Sequence, residues 1–209
     1  MNQALAPVLV VDDDDAVRAA IGMLLQASGV AHRAFPGARE FLDSAPWEHA
    51  VCLVLDVRMP EISGIELLKQ LRTRGVALPV IVMTGHGDVP MAVTAMKLGA
   101  YDFIEKPFDE SHLLELIRQA AAAGAAAQSA TQTRDAGRAA AAERIASLTP
   151  REREVFELVT AGKLNKVIAY DLGLSARTVE IHRARVMEKT GARSLSELVR
   201  LKVALESES

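Results

Sequence analysis

The stretch Val8-Leu-Val-Val-Asp-Asp-Asp-Asp15 joins four apolar residues to four consecutive aspartates, and a segment of helical period, Ala16–Ala27, follows directly. Such an apolar run indicates a strand buried on both faces, which is typical of a parallel sheet with crossover helices. The aspartates then fall at the carboxyl end of the strand, where open parallel sheets place their chemistry. The stretch therefore predicts an α/β fold with its functional groups at one edge of a sheet.

The same strand–helix unit recurs until about residue 120. Strands are predicted at Val8–Val11, Ala31–Phe35, Cys52–Leu55, Val80–Met83 and Tyr101–Ile104. Helices are predicted at Ala16–Ala27, Ala38–Ser44, Gly64–Arg74, Val89–Leu98 and Ser111–Ala120. Five such units predict a doubly wound, five-stranded parallel sheet of the flavodoxin-like kind.

Composition narrows the class of protein. The chain has 209 residues, of which 50% are hydrophobic and 24% charged, so we expect two domains of modest size and exclude a disordered, collagen-like or disulfide-stapled chain. No apolar run approaches the roughly 18 residues of a membrane span, and residues 1–7 lack a secretory signal, so we expect a cytoplasmic protein without a membrane partner. The lone cysteine, Cys52, is predicted to be a small buried hydrophobe.

An alanine-rich linker is predicted between two domains. Alanine accounts for 13 of the 26 residues in 121–146, which predicts domains at 1–120 and 147–209 with a linker between them. Because alanine favours helix, the linker is expected to be a frayed, solvent-facing helix or a semi-rigid spacer. The three segments carry net charges of −6, +1 and +2, a split that fits an acidic regulatory or catalytic domain joined to a nucleic-acid binder.

The residues at the predicted strand ends are of the types that bind a divalent cation and a phosphoryl group. Asp12 to Asp15 follow the first strand, and Asp56, Thr84 and Lys106 follow the third, fourth and fifth. Neighbouring carboxylates repel one another unless a hard cation such as Mg²⁺ neutralises them, and a lysine with a hydroxyl suits the oxygens of a phosphoryl group in transfer. Asp56 is the expected nucleophile, forming an acyl phosphate, whereas Asp14 and Asp15 have the simpler interpretation of a helix cap and a solvated loop.

The C-terminal segment predicts a small all-α domain. Capping boxes are expected at Thr149–Glu152 and Ser194–Glu197. Between them, Asn165–Leu172 and a helix from Ser175 to about Lys189 flank a glycine turn, which is the helix-turn-helix arrangement, although helical hairpins also occur in proteins that do not bind DNA.

The second of these helices has two distinct faces. Val179 and Val186 mark the core side, shared with His182 and Arg183. The opposite face suits a DNA major groove and contains Arg177, Glu180, Ile181, Ala184, Arg185 and Glu188. Phosphate contacts are expected from Lys166, Thr178, Arg183 and Lys189. The alternative is an ordinary solvated charged helix.

Residues 7–120 resemble the receiver domains of bacterial response regulators. The resemblance rests on Val10-Val-Asp12-Asp13-Asp14, Leu55-Asp56-Val-Arg-Met-Pro60 with Ser63-Gly64, Met83-Thr84-Gly-His-Gly-Asp88, and Phe103-Ile-Glu-Lys106-Pro107-Phe108. It implies that Asp13, Asp56 and the backbone carbonyl of Arg58 bind Mg²⁺ directly and that Asp12 acts through water. It also implies that Mn²⁺ substitutes for Mg²⁺.

The same resemblance implies a phosphorylation switch. Asp56 would accept phosphate from a phosphohistidine of a cognate sensor histidine kinase, Thr84 and Lys106 would contact the phosphoryl oxygens, and the Lys106–Pro107 peptide would be cis. Thr84 would then move toward the phosphoryl group and Phe103 would turn inward, creating a face for a homodimer. The alternative for Phe103 is a permanently buried core residue.

Residues 147–203 resemble the LuxR-type DNA-binding domain. The matching stretches are Leu148–Val155, Gly162–Ala169 and Leu174–His182. The resemblance implies that Glu180, Ile181 and Ala184 face bases while Lys166, Thr178 and His182 face the DNA backbone. Glu180 replaces a lysine common in some members, so their operator sequence does not transfer.

The two resemblances together indicate a FixJ-like response regulator. Such a protein is not an enzyme; it binds double-stranded promoter DNA and, if it is an activator, works with RNA polymerase. A magnesium-dependent phosphatase is the first alternative, but Arg58 stands where its acid/base aspartate would be. A constitutive DNA binder with a degenerate receiver is the second, and the intact Asp13, Asp56, Thr84 and Lys106 argue against it.

Overall fold

The computed structural model describes residues 6–45, 47–85, 88–129 and 141–206, and the chain forms two compact units, considered separately below. The first unit is built on five strands. They are β1 (Val8–Val11), β2 (His32–Phe35), β3 (Cys52–Asp56), β4 (Val80–Thr84) and β5 (Asp102–Glu105). All pair in parallel in the order β2-β1-β3-β4-β5, which confirms the predicted doubly wound sheet.

The five helices of the α/β pattern begin close to their predicted residues, and the first four also end close to them. They are α1 (Asp15–Ala27), α2 (Ala38–Ser44), α3 (Gly64–Thr73), α4 (Val89–Lys97) and α5 (Glu110–Ser129), with one turn of 3-10 helix at Trp47–His49. Asp14 caps α1, because its carboxylate accepts the backbone N–H groups of Ala16 and Val17. The interpretation of Asp14 as a cap is therefore confirmed.

Helix α5 differs most from its prediction. It was expected to end at Ala120, but it continues to Ser129, since the alanines that follow are strong helix formers. At Gly124 it still packs against the first unit: a Cβ built there would lie 3.1 Å from the Pro79 side chain. The start of the expected linker is therefore helical and packs against Pro79 at Gly124, and residues 130–140 lie outside the described residues.

The sheet core is continuous with α1 and α5. Val8, Val10, Cys52 and Val54 alternate toward one face of the sheet, where they pack with side chains such as Leu113. Full burial of a side chain of this size contributes roughly 1.5–3 kcal/mol. Burial raises the pKa of the Cys52 thiol to about 12, which confirms its interpretation as a buried hydrophobe.

The C-terminal segment is helical over the part that the structure describes. Its helices are α6 (described over 141–146), α7 (Pro150–Thr160), α8 (Asn165–Leu172), α9 (Ala176–Thr190) and α10 (Leu195–Glu206). The capping box at Thr149 and Glu152 is confirmed. Ser194 accepts the N–H of Glu197, but the Glu197 carboxylate accepts from Arg193, one residue earlier than predicted.

These helices enclose a core of their own. It is built around Phe156, Ile168, Val179 and Val186, each at most 1% exposed. Within the described ranges, no helix combines the length and apolarity needed to cross a membrane.

Candidate functional site

The residues predicted from the strand ends lie at one edge of the sheet. In the parallel register, Asp56 pairs with Met83 and Thr84 pairs with Glu105, so β3, β4 and β5 end side by side. Asp12 follows β1, the other neighbour of β3. The fold thus brings the ends of four adjacent strands together, as the sequence predicts.

Lys106 joins two of the carboxylates at this edge. Its Nζ lies 2.6 Å from Asp12 Oδ2 and 2.6 Å from Asp56 Oδ1. The Asp12 side chain is fully buried, that of Asp56 is 8% exposed and that of Lys106 is 26% exposed. The peptide bond between Lys106 and Pro107 is cis, as expected. A cation shared by two buried carboxylates offsets their mutual repulsion.

The ionisation of this cluster follows from its burial. Burial raises the pKa of Asp56 above its ordinary value, against the opposing effect of the hydrogen bond from Lys106. Burial alone would lower the pKa of Lys106, but hydrogen bonds to Asp12 and Asp56 bring it above its usual range. Lys106 therefore remains a cation at neutral pH and is available to a further anionic group.

Thr84 is the last residue of β4, and its hydroxyl makes no hydrogen bond to the described residues. Its Oγ1 is buried and has no hydrogen-bond partner among the described residues, while its carbonyl accepts the N–H of Lys106 at 2.8 Å. Leaving a buried polar atom unpaired costs about 1–3 kcal/mol. Such an atom in a candidate site indicates a hydrogen bond that forms only when a ligand is present.

The acidic loop between β1 and α1 is held from several sides. Asp12 Oδ1 accepts the N–H of Asp14 at 2.9 Å, and the Asp12 carbonyl accepts a hydrogen bond from Arg18 Nη1 at 2.6 Å. Asp13 lies between these fixed residues with its side chain exposed. The sequence reasoning missed Arg18. Its position in the first turn of α1, behind a row of aspartates, was the available signal.

The loop that follows Asp56 depends on a glycine. The Asp56 carboxylate accepts the backbone N–H of Arg58, and Gly64 donates its own N–H to the Val57 carbonyl at 2.9 Å. A Cβ at Gly64 would lie 2.9 Å from the Val57 Cα and would overlap the Asp56 carbonyl oxygen. Only glycine therefore allows the start of α3 to approach the candidate nucleophile this closely.

The donor set fits a hard cation. No three His, Cys, Asp or Glu side chains within the described ranges are grouped tightly enough to form a metal site alone. Mg²⁺, however, uses one or two carboxylates and completes its shell with water and phosphate oxygens. The buried carboxylate of Asp56 and the exposed one of Asp13 are oxygen donors of the kind that Mg²⁺ takes, and the Thr84 hydroxyl has no hydrogen-bond partner among the described residues.

An apolar depression of about 460 Å³ lies beside the acidic edge. One wall comes from α1, with Val17, Ile21 and Leu24, and the other from the loop after β5, with Pro107 and Phe108. Lys106 also lines it. The depression therefore offers a partner an apolar surface next to the candidate nucleophile.

Phe103, the expected switch residue, lies in the middle of β5. Its side chain is half-buried, and its N–H donates to Asp102 Oδ1 at 2.8 Å. It is therefore not a fully buried core residue, which removes that alternative for this conformation. His86 and Gly87, which belong to the motif after β4, lie outside the described residues.

The helix-turn-helix forms as the sequence predicts. Helix α8 ends at Leu172 and is capped by Gly173, which has the left-handed φ of 63°, and α9 begins after Ser175, whose hydroxyl accepts the N–H of Thr178 at 3.1 Å. Only a residue tolerant of positive φ turns the chain here without strain, and glycine is the usual choice. The turn aligns the two helices that would meet DNA.

The predicted DNA-contacting residues fall into two groups. Exposed side chains make up the first group: Lys166, Arg177, Glu180, Ile181, Ala184 and Arg185. Thr178 and His182 are half-buried, and the Thr178 hydroxyl is hydrogen-bonded to Ser175. The exposed face carries Ile181, 47% exposed, beside cations and a small alanine. This arrangement suits a groove where bases are read by hydrogen bonds and methyl contacts.

Two cations expected at phosphates form hydrogen bonds within the domain. Arg183 donates to Asn165 Oδ1 at 2.6 Å, and Lys189 donates to Glu152 Oε2 at 2.6 Å. Both lie nearer the core side of α9, so local acceptors reach them first. The Nδ1 atom of His182 is buried and has no hydrogen-bond partner among the described residues.

Comparison with protein families agrees with both units. A model described as the response regulator receiver domain matches residues 8–118, and one described as bacterial regulatory proteins of the luxR family matches residues 146–202. The chain belongs to the response regulators. It is a FixJ-like transcriptional regulator of the two-component kind and not an enzyme.

Relatives of this response regulator match along nearly their whole length. It is 53% identical to the transcriptional regulatory protein FixJ of Azorhizobium caulinodans over 93% of this chain and 90% of that protein. It is 47% identical to FixJ of Rhizobium meliloti over 94% of this chain and 95% of that protein. A solved structure of full-length FixJ from B. japonicum is 44% identical, covers 98% of both chains and has a TM-score of 0.54.

Proposed function

We propose that Asp56 of this response regulator accepts a phosphoryl group from a phosphohistidine of a cognate sensor histidine kinase, and that this controls binding to promoter DNA. The observation that carries the proposal is the Lys106 ammonium, 2.6 Å from both Asp12 and Asp56, beside a buried Thr84 hydroxyl without a partner. A nucleophilic carboxylate, a cation and a free hydroxyl are the groups that phosphoryl transfer requires.

The transfer exchanges one bond to phosphorus for another. An oxygen of Asp56 forms the new P–O bond while the P–N bond of the phosphohistidine breaks. The departing imidazole takes up a proton from solvent and leaves as a neutral base. Lys106 then gives up part of its contact with Asp56 to bind a phosphoryl oxygen. Thr84 Oγ1 donates to another of these oxygens and so gains the hydrogen bond it lacks at present.

Receiver domains bind Mg²⁺ for phosphorylation, and the residues of this site suit that ion. Asp13, Asp56 and the backbone carbonyl of Arg58 would hold it, with Asp12 acting through water, and Mn²⁺ would substitute. When bound, the ion supplies positive charge that stabilises the phosphoryl oxygens. The chain's own contribution is to hold these oxygen donors in place on fixed backbone.

The kinase would dock at the apolar depression between α1 and the loop after β5. A phosphohistidine must approach Asp56 from outside, and this depression, with Val17, Ile21 and Leu24 on one wall, borders the same Lys106 that contacts Asp56. Apolar surface beside a charged reaction centre supplies binding energy away from the reacting atoms.

Phosphorylation would act on DNA binding through a homodimer. Thr84 moving toward the phosphate and Phe103 turning inward would change the surface of the receiver, and two receivers would then pair. A single DNA-binding domain of low net charge binds weakly, whereas two linked copies gain from effective concentration on a two-fold related site. Base contacts would come from Glu180, Ile181 and Ala184, and backbone contacts from Lys166, Thr178 and His182, with Arg177 and Arg185 at the same face.

The proposed organisation is a receiver at 1–120, a linker at 121–146 and a DNA-binding domain at 147–209. The family matches to 8–118 and 146–202 support these limits. The protein would work in the cytoplasm, where promoter DNA is, and as an activator it would contact RNA polymerase.

The test is fluorescence anisotropy of the full chain on a pool of genomic fragments, with Mg²⁺ and a small phosphodonor present or absent. We expect the phosphodonor to raise DNA affinity in wild type and to leave Asp56→Asn unchanged. Asp43→Asn removes an exposed carboxylate on α2 and serves as the matched control, which should respond like wild type.

Light scattering on the same samples should show a dimer only after phosphorylation. Equal DNA affinity of wild type and Asp56→Asn under every condition would replace the proposal with a constitutive DNA binder. A tight dimer without phosphodonor would remove the dimerisation step but leave the phosphorylation step standing.

A further inference from the structure

Arg18 turns back from α1 onto the acidic loop. Its Nη1 donates to the backbone carbonyl of Asp12 at 2.6 Å, and its Nη2 pairs with the carboxylate of Asp15. The Arg18 side chain is only 16% exposed, whereas that of Asp15 is 93% exposed. The contact to the carbonyl is therefore shielded from water, and the ion pair with Asp15 is not.

The Arg18 contact completes a set of restraints around Asp13. The Asp12 carbonyl is held by Arg18, and the two Asp12 carboxylate oxygens are held by the Asp14 N–H and by Lys106. Asp14 in turn is fixed as the cap of α1. The peptide that joins Asp12 to Asp13 thus has a fixed orientation, and the exposed Asp13 carboxylate projects from it.

We propose that Arg18 is a positioning residue for the divalent-cation site. It holds the Asp12–Asp13 peptide so that the Asp13 carboxylate stays in place to bind Mg²⁺, although Arg18 itself does not touch the ion. The inference rests on the proposed function, because it requires Asp13 to be a ligand.

Electrostatics and positioning predict opposite results for the loss of Arg18. A guanidinium near a cation site repels the incoming ion, so removing its charge should tighten Mg²⁺ binding if charge alone mattered. Losing the hydrogen bond to the Asp12 carbonyl should instead release the loop and weaken binding. The sign of the change in affinity therefore separates a positioning role from a charge-balancing one.

The experiment is calorimetric titration of Mg²⁺ into the full chain, without phosphodonor, for wild type, Arg18→Met, Arg18→Lys and Asp15→Asn. Arg18→Met should bind Mg²⁺ about tenfold more weakly, at the low end of the effect of outer-shell residues on metal affinity. Arg18→Lys keeps one donor and should recover part of the loss. Asp15→Asn removes the exposed ion pair only and should stay within about twofold of wild type.

Each outcome bears on one of the two proposals. Unchanged or tighter Mg²⁺ binding in Arg18→Met overturns the positioning role, and so does an equal loss in Asp15→Asn. If Arg18→Met unfolds, as shown by its circular dichroism, Arg18→Lys decides: weaker Mg²⁺ binding than wild type in a folded Arg18→Lys supports the role, and wild-type affinity overturns it. Absence of Mg²⁺ binding in wild type refutes the proposed function itself, and the inference falls with it.

Discussion

Lys189 Nζ donates to Glu152 Oε2 at 2.6 Å and so joins the last turn of α9 to the first turn of α7. The same carboxylate oxygen accepts the N–H of Thr149 at 2.9 Å, and the Glu152 side chain is 4% exposed. The hydrogen bond from Lys189, followed by that from Thr149, lowers the pKa of Glu152 to about 2. One carboxylate thus both caps a helix and anchors the helix that would read DNA.

Replacing Glu152 by glutamine should make the unfolding free energy of the DNA-binding domain less dependent on pH in the acidic range. The folded-state pKa of about 2 lies below the ordinary 4.5, so the stabilisation is complete above about pH 4.5 and is lost as the pH falls toward 2. We expect Glu152→Gln to be less stable than wild type at pH 6, with a gap that narrows toward pH 3.5. Urea unfolding monitored by circular dichroism measures this difference in stability. Glu188→Gln, at an exposed position on α9, is the control. A difference between wild type and Glu152→Gln that does not change with pH would contradict the lowered pKa of Glu152.

Alanine at Gly64 should disturb the loop that holds Asp56. The added Cβ would overlap the Asp56 carbonyl oxygen, and overpacking of this kind costs about 1–3 kcal/mol. We expect a lower unfolding midpoint together with slower phosphorylation by a small phosphodonor. Gly37→Ala is the control, because its Cβ would meet only the flexible end of Glu40, and an unaffected phosphorylation rate in Gly64→Ala would show that the loop adapts.

Removing the charge of Lys106 should make stability rise as the pH falls. Without the ammonium, Asp12 and Asp56 face each other, so the folded-state pKa of at least one carboxyl rises, and its cost is present above that pKa and disappears below it. In buffer with a chelator, Lys106→Met should lose about 1–3 kcal/mol at pH 7.5, less than for a fully buried pair because Lys106 is partly exposed, and regain much of it at pH 5. Urea unfolding at both pH values checks this against Lys69→Met, and equal losses at both would argue that Lys106 matters through packing alone.

The thiol of Cys52 should be inert in the folded protein. Burial raises its pKa to about 12 from an ordinary 9, so its thiolate fraction at pH 8 is about a thousandfold lower than that of a free thiol. Labelling with a thiol reagent should occur only through unfolding and should accelerate with urea in parallel with the loss of helical signal. Rapid labelling without urea would mean that β3 opens independently of the rest of the core.

Lys166 should contribute to DNA binding without contributing to sequence preference. It is exposed at the start of α8, where a phosphate contact carries no base information. Lys166→Met should weaken binding equally on all fragments and reduce the slope of log affinity against log salt by about 1. Anisotropy at several salt concentrations measures this with Lys69→Met as the charge-matched control, and a change in fragment preference would instead place Lys166 at a base.

The fold was largely predictable because its signals are local. Apolar runs ended by polar residues located β1, β3 and β4 to within a residue, and the mixed segments predicted as β2 and β5 were also correct to within a residue. The capping box at Thr149 marked the start of α7. The end of α5 was not predictable. An alanine-rich segment has no apolar stripe to show whether it is packed, and only the contact of Gly124 with Pro79 shows that it is.

The convergence of Asp12, Asp56, Thr84 and Lys106 was predictable from topology, since parallel strands end at a common edge. The hydrogen-bond partners of arginine and lysine side chains were not predictable. Arg72 donates to the carbonyls of Val76, Leu78 and Gly99, and Arg183 and Lys189 donate to acceptors inside their domain. A flexible side chain with several donors takes the acceptors that tertiary structure places near it, and a linear sequence does not contain those distances.

Because α5 continues without a break to Ser129, the length of the alanine-rich segment sets the direction in which the chain leaves the helix. In a continuous helix each added residue turns everything after it by about 100° and advances it by about 1.5 Å. One extra alanine between Ala121 and Ser129 would therefore redirect the exit of the chain to another side of the helix axis, and a second would redirect it again. Four extra alanines would turn the chain by about 400° and so nearly restore the original direction. Each inserted residue thus changes the direction in which α5 ends as well as its length.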